Sequence, residues 1–224
     1  MHQNVLFIGN SHTYLHKMPW MIAELAAAEQ KGSTISIGLC TKNRAGLKDH
    51  WHDQITRDTI SGKAWDTIVL QDRSGGPLED NASFEHYAAL FDREIKRTGA
   101  DTLFFMTWAH QKRPEDQENI ARAYRHTARR HNAGLGPVGM AWQRSIRESP
   151  DLSLYHEDGR HAGPAGAYLA ACVFYVVLFK ASPAGLPSRF NIKGKLRVNL
   201  DEKSALFLQQ IAVRTVRDLK QQDD

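Results

Sequence analysis

Cysteine is scarce in this chain of 224 residues, and the two present, Cys40 and Cys172, fall in apolar stretches. They match no metal or redox spacing, so no disulfide framework follows and both are expected as buried thiols. Eleven histidines are present, yet no His-Glu-x-x-His occurs, and His50-Trp51-His52 has no partner set around it. Neither a metal nor a cofactor is expected. The longest apolar stretch, Ala165 to Phe179, is too short to span a bilayer and reads as a core helix, so no membrane span is predicted. The start, Met1-His2-Gln3-Asn4, lacks a charged region and long apolar core of a secretion signal, which makes the default location cytoplasmic. There is no strong excess of one charge. The net charge is +4, and Arg122, Arg125, Arg129 and Arg130 sit on one predicted helix whose first turns carry Glu115, Asp116 and Glu118. Acid first and base last complements a helix dipole, so this is a solvated helix face and not a nucleic-acid surface. Repeats, low-complexity tracts and splitting linkers are also missing, and nothing in the pattern specifies an oligomer. One domain over 1–224 is expected, with a Pro- and Gly-bearing connector and a last helix at about 181–220.

What is present is an alternation of short apolar runs with helical periodicity. Strands are predicted near 4–9, 34–40, 66–71, 101–107 and 136–141, and helices near 17–30, 47–56, 81–98, 114–132, 164–180 and 202–220. Strands separated by helices imply right-handed crossovers, hence an α/β protein: a three-layer α/β/α sandwich around a mostly parallel five-stranded sheet.

Two short stretches carry chemistry. The first is Val5-Leu6-Phe7-Ile8-Gly9-Asn10-Ser11-His12-Thr13-Tyr14. A buried strand ends at Gly9 and a helical pattern starts at Met18, so Ser11 lies on a strand-to-helix turn at the ligand-binding edge of an open sheet. Its ordinary role there would be an N-cap. The second stretch is Tyr155-His156-Glu157-Asp158-Gly159-Arg160-His161, followed by Ala162-Gly163-Pro164 and a strongly apolar helix. Three residues apart in a Gly-bearing loop, Asp158 can hold one ring nitrogen of His161 while the other faces outward as a base. An early Gly-x-Ser after a strand combined with a late Asp-x-x-His is far less common by chance than either alone.

Over residues 4 to 180 this combination resembles the SGNH hydrolases, the GDSL-type esterase family. Gly9-Asn10-Ser11 would be the first block, with Asn10 where the family usually has Asp, and Asp158-Gly159-Arg160-His161 the last. The resemblance implies a flavodoxin-like strand order and a catalytic triad of Ser11, His161 and Asp158. It also implies an oxyanion hole from Ser11, the second-block Gly46, and a third-block side chain. The usual third block, Gly-x-Asn-Asp, is replaced by Gln71-Asp72-Arg73-Ser74, which nominates the Gln71 amide as the donor, with Ser74 a weaker stand-in. His12, Arg73, Trp108, His110 and Arg160 fall on loops at the same edge. Arg73 or Arg160 would suit an acidic or phosphorylated substrate, and Trp108 a sugar face. The α/β-hydrolase elbow is not met, because Thr13 stands where its second glycine would be. The expected activity is hydrolysis of an acyl ester of a small molecule or carbohydrate through an acyl-enzyme. The alternative is a non-catalytic flavodoxin-like module that holds a phosphate or other small ligand on the same turn.

Overall fold

The computed structural model of the chain describes residues 1–29 and 32–223. Strand β1 (His2–Gly9) leads through a short turn of helix, α1 (Ser11–Tyr14), and a 3-10 turn into α2 (Met18–Ala28). There follow β2 (Thr34–Thr41), α3 (Leu47–Trp51), α4 (Gln54–Ser61), β3 (Thr67–Leu70), α5 (Gly76–Glu79) and α6 (Asn81–Arg97). The second half holds β4 (Asp101–Phe105), α7 (Asp116–Arg130), β5 (Gly134–Gly136), α8 (Val138–Glu148) and α9 (Pro164–Phe179). A hairpin of β6 (Arg189–Ile192) and β7 (Lys195–Asn199) precedes α10 (Glu202–Asp223). The main sheet has the order β2-β1-β3-β4-β5 with all pairs parallel.

The strand period of two divides β1 between two cores. Val5 and Phe7 face α2, α8, α9 and α10, whereas Leu6 and Ile8 face the layer of α6 and α7 with Ile60, Phe84, Phe91 and Tyr124. All four are fully buried, each side chain contributing about 1.5–3 kcal/mol of burial. Helix α9 is apolar on nearly every side because it lies between the sheet and α10, touching α2 and α8 as well. Pro164 occupies its first turn, and Lys180, in a left-handed conformation, ends it.

Three elements differ from expectation. The strand expected at 136–141 is three residues long and stops at Gly136, and Val138 begins α8 instead, because Pro137 lacks the amide a further ladder bond would need. The helix expected at 47–56 is two, since Asp53 caps a new start by accepting from Thr56 N–H. The connector after α9 holds the hairpin, turning through Lys193 and Gly194, both with positive φ as a tight hairpin turn needs. Helix α2 ends at Ala28, and position 30, the last of the predicted helix, lies outside the described residues.

Register brings the chemistry together. Gly9 pairs with Thr41 and Ile8 with Leu70, so the loops after β1, β2 and β3 leave the same sheet edge. Phe105 pairs with Gly136, which places the loop after β4 on that edge too.

Candidate active site

Ser11 opens α1, and its turn is held from three sides. Asn10 is the N-cap: its Oδ1 accepts from His12 N–H at 3.1 Å while its Nδ2 donates to the Ala45 carbonyl at 2.9 Å. An aspartate at position 10 could accept but not donate, so the second bond accounts for the amide here. Beneath the turn, Gln71 Oε1 accepts from the Asn10 N–H (2.9 Å) and from the Thr13 hydroxyl (2.8 Å). Gly9 must be glycine, because a Cβ there would lie 2.5 Å from Gln71 Oε1 and 2.7 Å from Thr13 Oγ1. His50, fully buried, donates Nε2–H to the Gly9 carbonyl at 2.9 Å. The Ser11 N–H takes no hydrogen-bond partner among the described residues, while the amides of Thr13 and Tyr14 close on the Asn10 carbonyl.

The loop that carries Asp158 and His161 is held mainly by its own backbone. His156 N–H donates to the His161 carbonyl and Gly163 N–H to the Leu154 carbonyl, and a bridge joins Tyr155 to Ala162. Asp158 Oδ1 accepts from the amides of Arg160 and His161, both at 2.9 Å, across a turn for which Gly159 supplies a φ of 65°. Asp158 Oδ2 then meets His161 Nδ1 at 2.5 Å, and His161 Nε2 meets Ser11 Oγ at 2.9 Å. Partial burial works against the Asp158 carboxylate, but the His161 ring and the two amides outweigh it and hold its pKa well below the usual carboxylate range. The ionised carboxylate can only accept. Nδ1 therefore carries the proton, and Nε2 is left as an acceptor for the Ser11 hydroxyl.

Further contacts reach this loop from outside it. His16 Nε2–H donates to the Ala162 carbonyl at 3.1 Å, and the Trp108 indole donates to the Arg160 carbonyl at 2.9 Å. The His12 ring lies between Trp108 and His161, with centroids 4.9 and 5.3 Å away. Its Nε2 is buried without a hydrogen-bond partner among the described residues. Burial first, then the neighbouring His161, lowers its pKa to about 4, so the ring is neutral over the range in which most proteins function.

Several expected roles meet a different geometry. Gln71 does not reach the cleft. It is fully buried, and its amide nitrogen donates to the Asp72 carbonyl, so one more methylene than asparagine folds the group back under the Ser11 turn. Trp108 is 1% exposed and stacked 4.0 Å from Trp142, which leaves no ring face for a sugar. The Gly46 N–H is donated to Asp49 Oδ2 at 2.8 Å. Gly46 also gives room: a Cβ there would lie 2.4 Å from Asp72 Oδ1, and Arg73 passes over the same spot. Asp72 itself escaped sequence reasoning. It is a buried carboxylate that accepts from Leu47 N–H and fills the space left by Gly46 and Gly76, and burial raises its pKa. Its only sequence signal is the pair of glycines.

Two polar clefts open on this edge. One of about 330 Å³ is lined by Arg44, Gly46, Asp72 and Arg73, and one of about 550 Å³ by Ser74, Trp108, His110, Arg113 and Arg160. Arg73 is half-exposed and paired with Glu79 at 3.0 Å. Among the described residues no three His, Cys, Asp or Glu side chains gather as a metal site, and no helix is long and apolar enough to cross a membrane.

No family model matches the chain, and no curated protein matches it. Solved structures do. A candidate SGNH hydrolase from Slackia heliotrinireducens is 26% identical, with a TM-score of 0.68 over 80% of this chain and all of the other. A DUF4886 family protein from Bacteroides uniformis is 18% identical, with a TM-score of 0.76 over 96% of this chain and 95% of the other. An acetyl-xylooligosaccharide esterase, Axe2, from Geobacillus is 15% identical, with a TM-score of 0.63 over 79% and 94%. Other similar structures include TesA, the psychrotrophic esterase EstA and an acetyl xylan esterase.

Proposed function

We propose that this chain, whose fold is that of the SGNH and GDSL-type hydrolases, is a serine esterase that works through an acyl-enzyme on Ser11. The observation that carries the proposal is the unbroken relay from Ser11 Oγ through His161 to Asp158. As Oγ attacks the ester carbonyl, its proton passes to His161 Nε2, and Asp158 stabilises the imidazolium. Collapse of the tetrahedral intermediate breaks the bond to the alcohol oxygen, which takes the proton from Nε2. Water then attacks the acyl-serine carbonyl, again giving its proton to Nε2. Expulsion of Ser11 Oγ, reprotonated by the same nitrogen, frees the acid and restores the enzyme.

The oxyanion needs donors that the buried Gln71 cannot supply. We assign it the free Ser11 N–H and, from the third block, the Arg73 side chain, whose stem crosses Gly46 at the mouth of the smaller cleft. The Gly46 N–H joins them if the Asp49 carboxylate releases it. The smaller cleft is lined mainly by polar and charged groups and the larger mixes them with Leu78, Ala109 and Ile120, which favours a short acyl group on a hydroxylated alcohol. Similarity to acetyl-xylan and acetyl-xylooligosaccharide esterases supports acetylated carbohydrate as the first class to try.

A fluorophosphonate probe should label wild-type protein on Ser11 and leave Ser11→Ala unlabelled, with acetate-ester turnover lost in parallel. Folded protein that takes no label and turns over no ester would overturn the proposal. A phosphate-holding module, the alternative for this turn, would then be the better account, although it has no use for a histidine bonded to the serine hydroxyl.

A further inference from the structure

We infer that the larger cleft is a subsite for a negatively charged alcohol, gripped by the guanidinium of Arg160; this deepens the esterase proposal and rests on it. The relay fixes which part of a substrate lies there. His161 protonates the departing oxygen, so the alcohol must leave on the His161 side, and Arg160 is the residue beside His161 that lines this cleft.

The charges that line the cleft balance, Glu79 and Asp116 against Arg113 and Arg160. Two acids line it, and each already has a cation: Glu79 pairs with Arg73 at 3.0 Å, and Asp116 with Arg113 at 2.9 Å. His110, which also lines the cleft, accepts at Nδ1 from the Lys112 amide. The Arg160 guanidinium, by contrast, has neither ion pair nor hydrogen bond among the described residues, although Asp158 is two positions away. Its backbone is pinned at both ends, the N–H to Asp158 and the carbonyl to the Trp108 indole. A free guanidinium on a fixed backbone presents its fork from a constant origin, and that fork matches a carboxylate or a phosphate. The ligand chemistry is therefore an ester whose alcohol part carries one of these anions, such as an acidic sugar or a sugar phosphate.

The test compares acetate esters that share one skeleton and differ in charge: 4-acetoxybenzoate, 4-acetoxyphenyl phosphate and the neutral methyl 4-acetoxybenzoate. Their kcat/KM values are first normalised to the rates with hydroxide. Wild-type enzyme should prefer at least one anionic ester over the neutral one, and the preference should fall roughly 10- to 100-fold in Arg160→Gln, mainly through KM, with Arg160→Lys in between. Which anion is favoured separates a carboxylate site from a phosphate site. Both anchoring bonds are to backbone, so these variants keep the loop, and fluorophosphonate labelling of Ser11 at the wild-type rate checks it. Turnover of all three esters with the same ratios in wild type and Arg160→Gln would overturn the subsite while leaving the esterase standing. If no ester is turned over, calorimetric binding of 4-hydroxybenzoate and 4-hydroxyphenyl phosphate still decides the subsite: binding to wild type that is lost in Arg160→Gln supports it, and no binding sinks it.

Discussion

The Ser11 turn and the Asp158–His161 loop meet at the Ser11–His161 hydrogen bond, yet they are built in opposite ways. Ser11 stands on a buried turn held by groups far away in sequence: Gln71 just after β3, the Ala45 carbonyl after β2, and His50 beneath Gly9. Asp158 and His161 stand on a partly exposed loop held largely by bonds between residues 154 and 163. One side is held by groups from across the fold and the other largely by its own backbone, with His16, Trp108, Ala109 and Gln111 bonded to it from outside. Damage to the loop should therefore show mainly in chemistry, and damage to the turn in chemistry and stability together.

The largest effect should come from the loop. Asp158→Asn keeps an acceptor for the two amides but removes the charge and the tautomer control, so kcat should fall about 10⁴-fold, together with the stability that the ionised carboxylate carries. Near-native turnover would take Asp158 out of the mechanism. Next is the oxyanion contact. Arg73→Ala should lower kcat about 100- to 1000-fold with KM and stability little moved, because Arg73 is half-exposed and its pairing with Glu79 stabilises the fold by only about 0–1 kcal/mol. A kcat within a few-fold of wild type would return the oxyanion to backbone amides alone.

The turn should break differently. Gln71→Leu leaves the Asn10 amide and the Thr13 hydroxyl without their acceptor in a buried site, costing about 1–3 kcal/mol for each group left unmade. Stability and kcat should fall together, and denaturant unfolding measured beside turnover checks this. A donor in the cleft would instead lose kcat alone. Asn10→Asp is the finer probe: it keeps the cap but sets a carboxylate against the Ala45 carbonyl, and should cost stability where an ordinary N-cap exchange would not.

The same contrast explains what could be seen beforehand. The Asp-x-x-His loop and the Ser11 turn are local patterns, so their residue types and spacing stand in the sequence, as do the five parallel strands and the buried α9. The role of Gln71 is set by two partners about sixty residues away, and an amide at a strand end looks the same whether it points into a cleft or under a turn. Trp108 is similar: its place against Trp142 and the Arg160 carbonyl depends on how α8 and the Asp158–His161 loop return to the sheet. The β6–β7 hairpin was legible in principle, since buried Phe190 and Ile192 alternate with exposed Arg189 and Asn191 ahead of a Lys-Gly turn. The flanking prolines masked it as a plain connector.

The smallest effect concerns the ring that joins the two regions. In the unfolded chain the His12 imidazole titrates near 6.5, and in the folded protein near 4, because burial first, and next the adjacent His161, oppose its charged form. Between these values the unfolded chain binds a proton that the folded chain refuses. Stability should thus fall as pH drops from about 6.5 to about 4 and gain no further loss from His12 below that. His16, His50 and His131, whose pKa values are also lowered chiefly by burial, act with the same sign. Asp158 acts in a separate window: its depressed pKa holds stability that is present above the ordinary carboxylate value near 3.8 and is lost as pH falls below it. His12→Phe keeps a flat ring between Trp108 and His161 and removes one of the four titrations, so the slope of melting temperature against pH from 6.5 to 4 should flatten in part and stay unchanged below 4. An unaltered slope would mean that His12 is solvated in solution and does not join the turn to the loop.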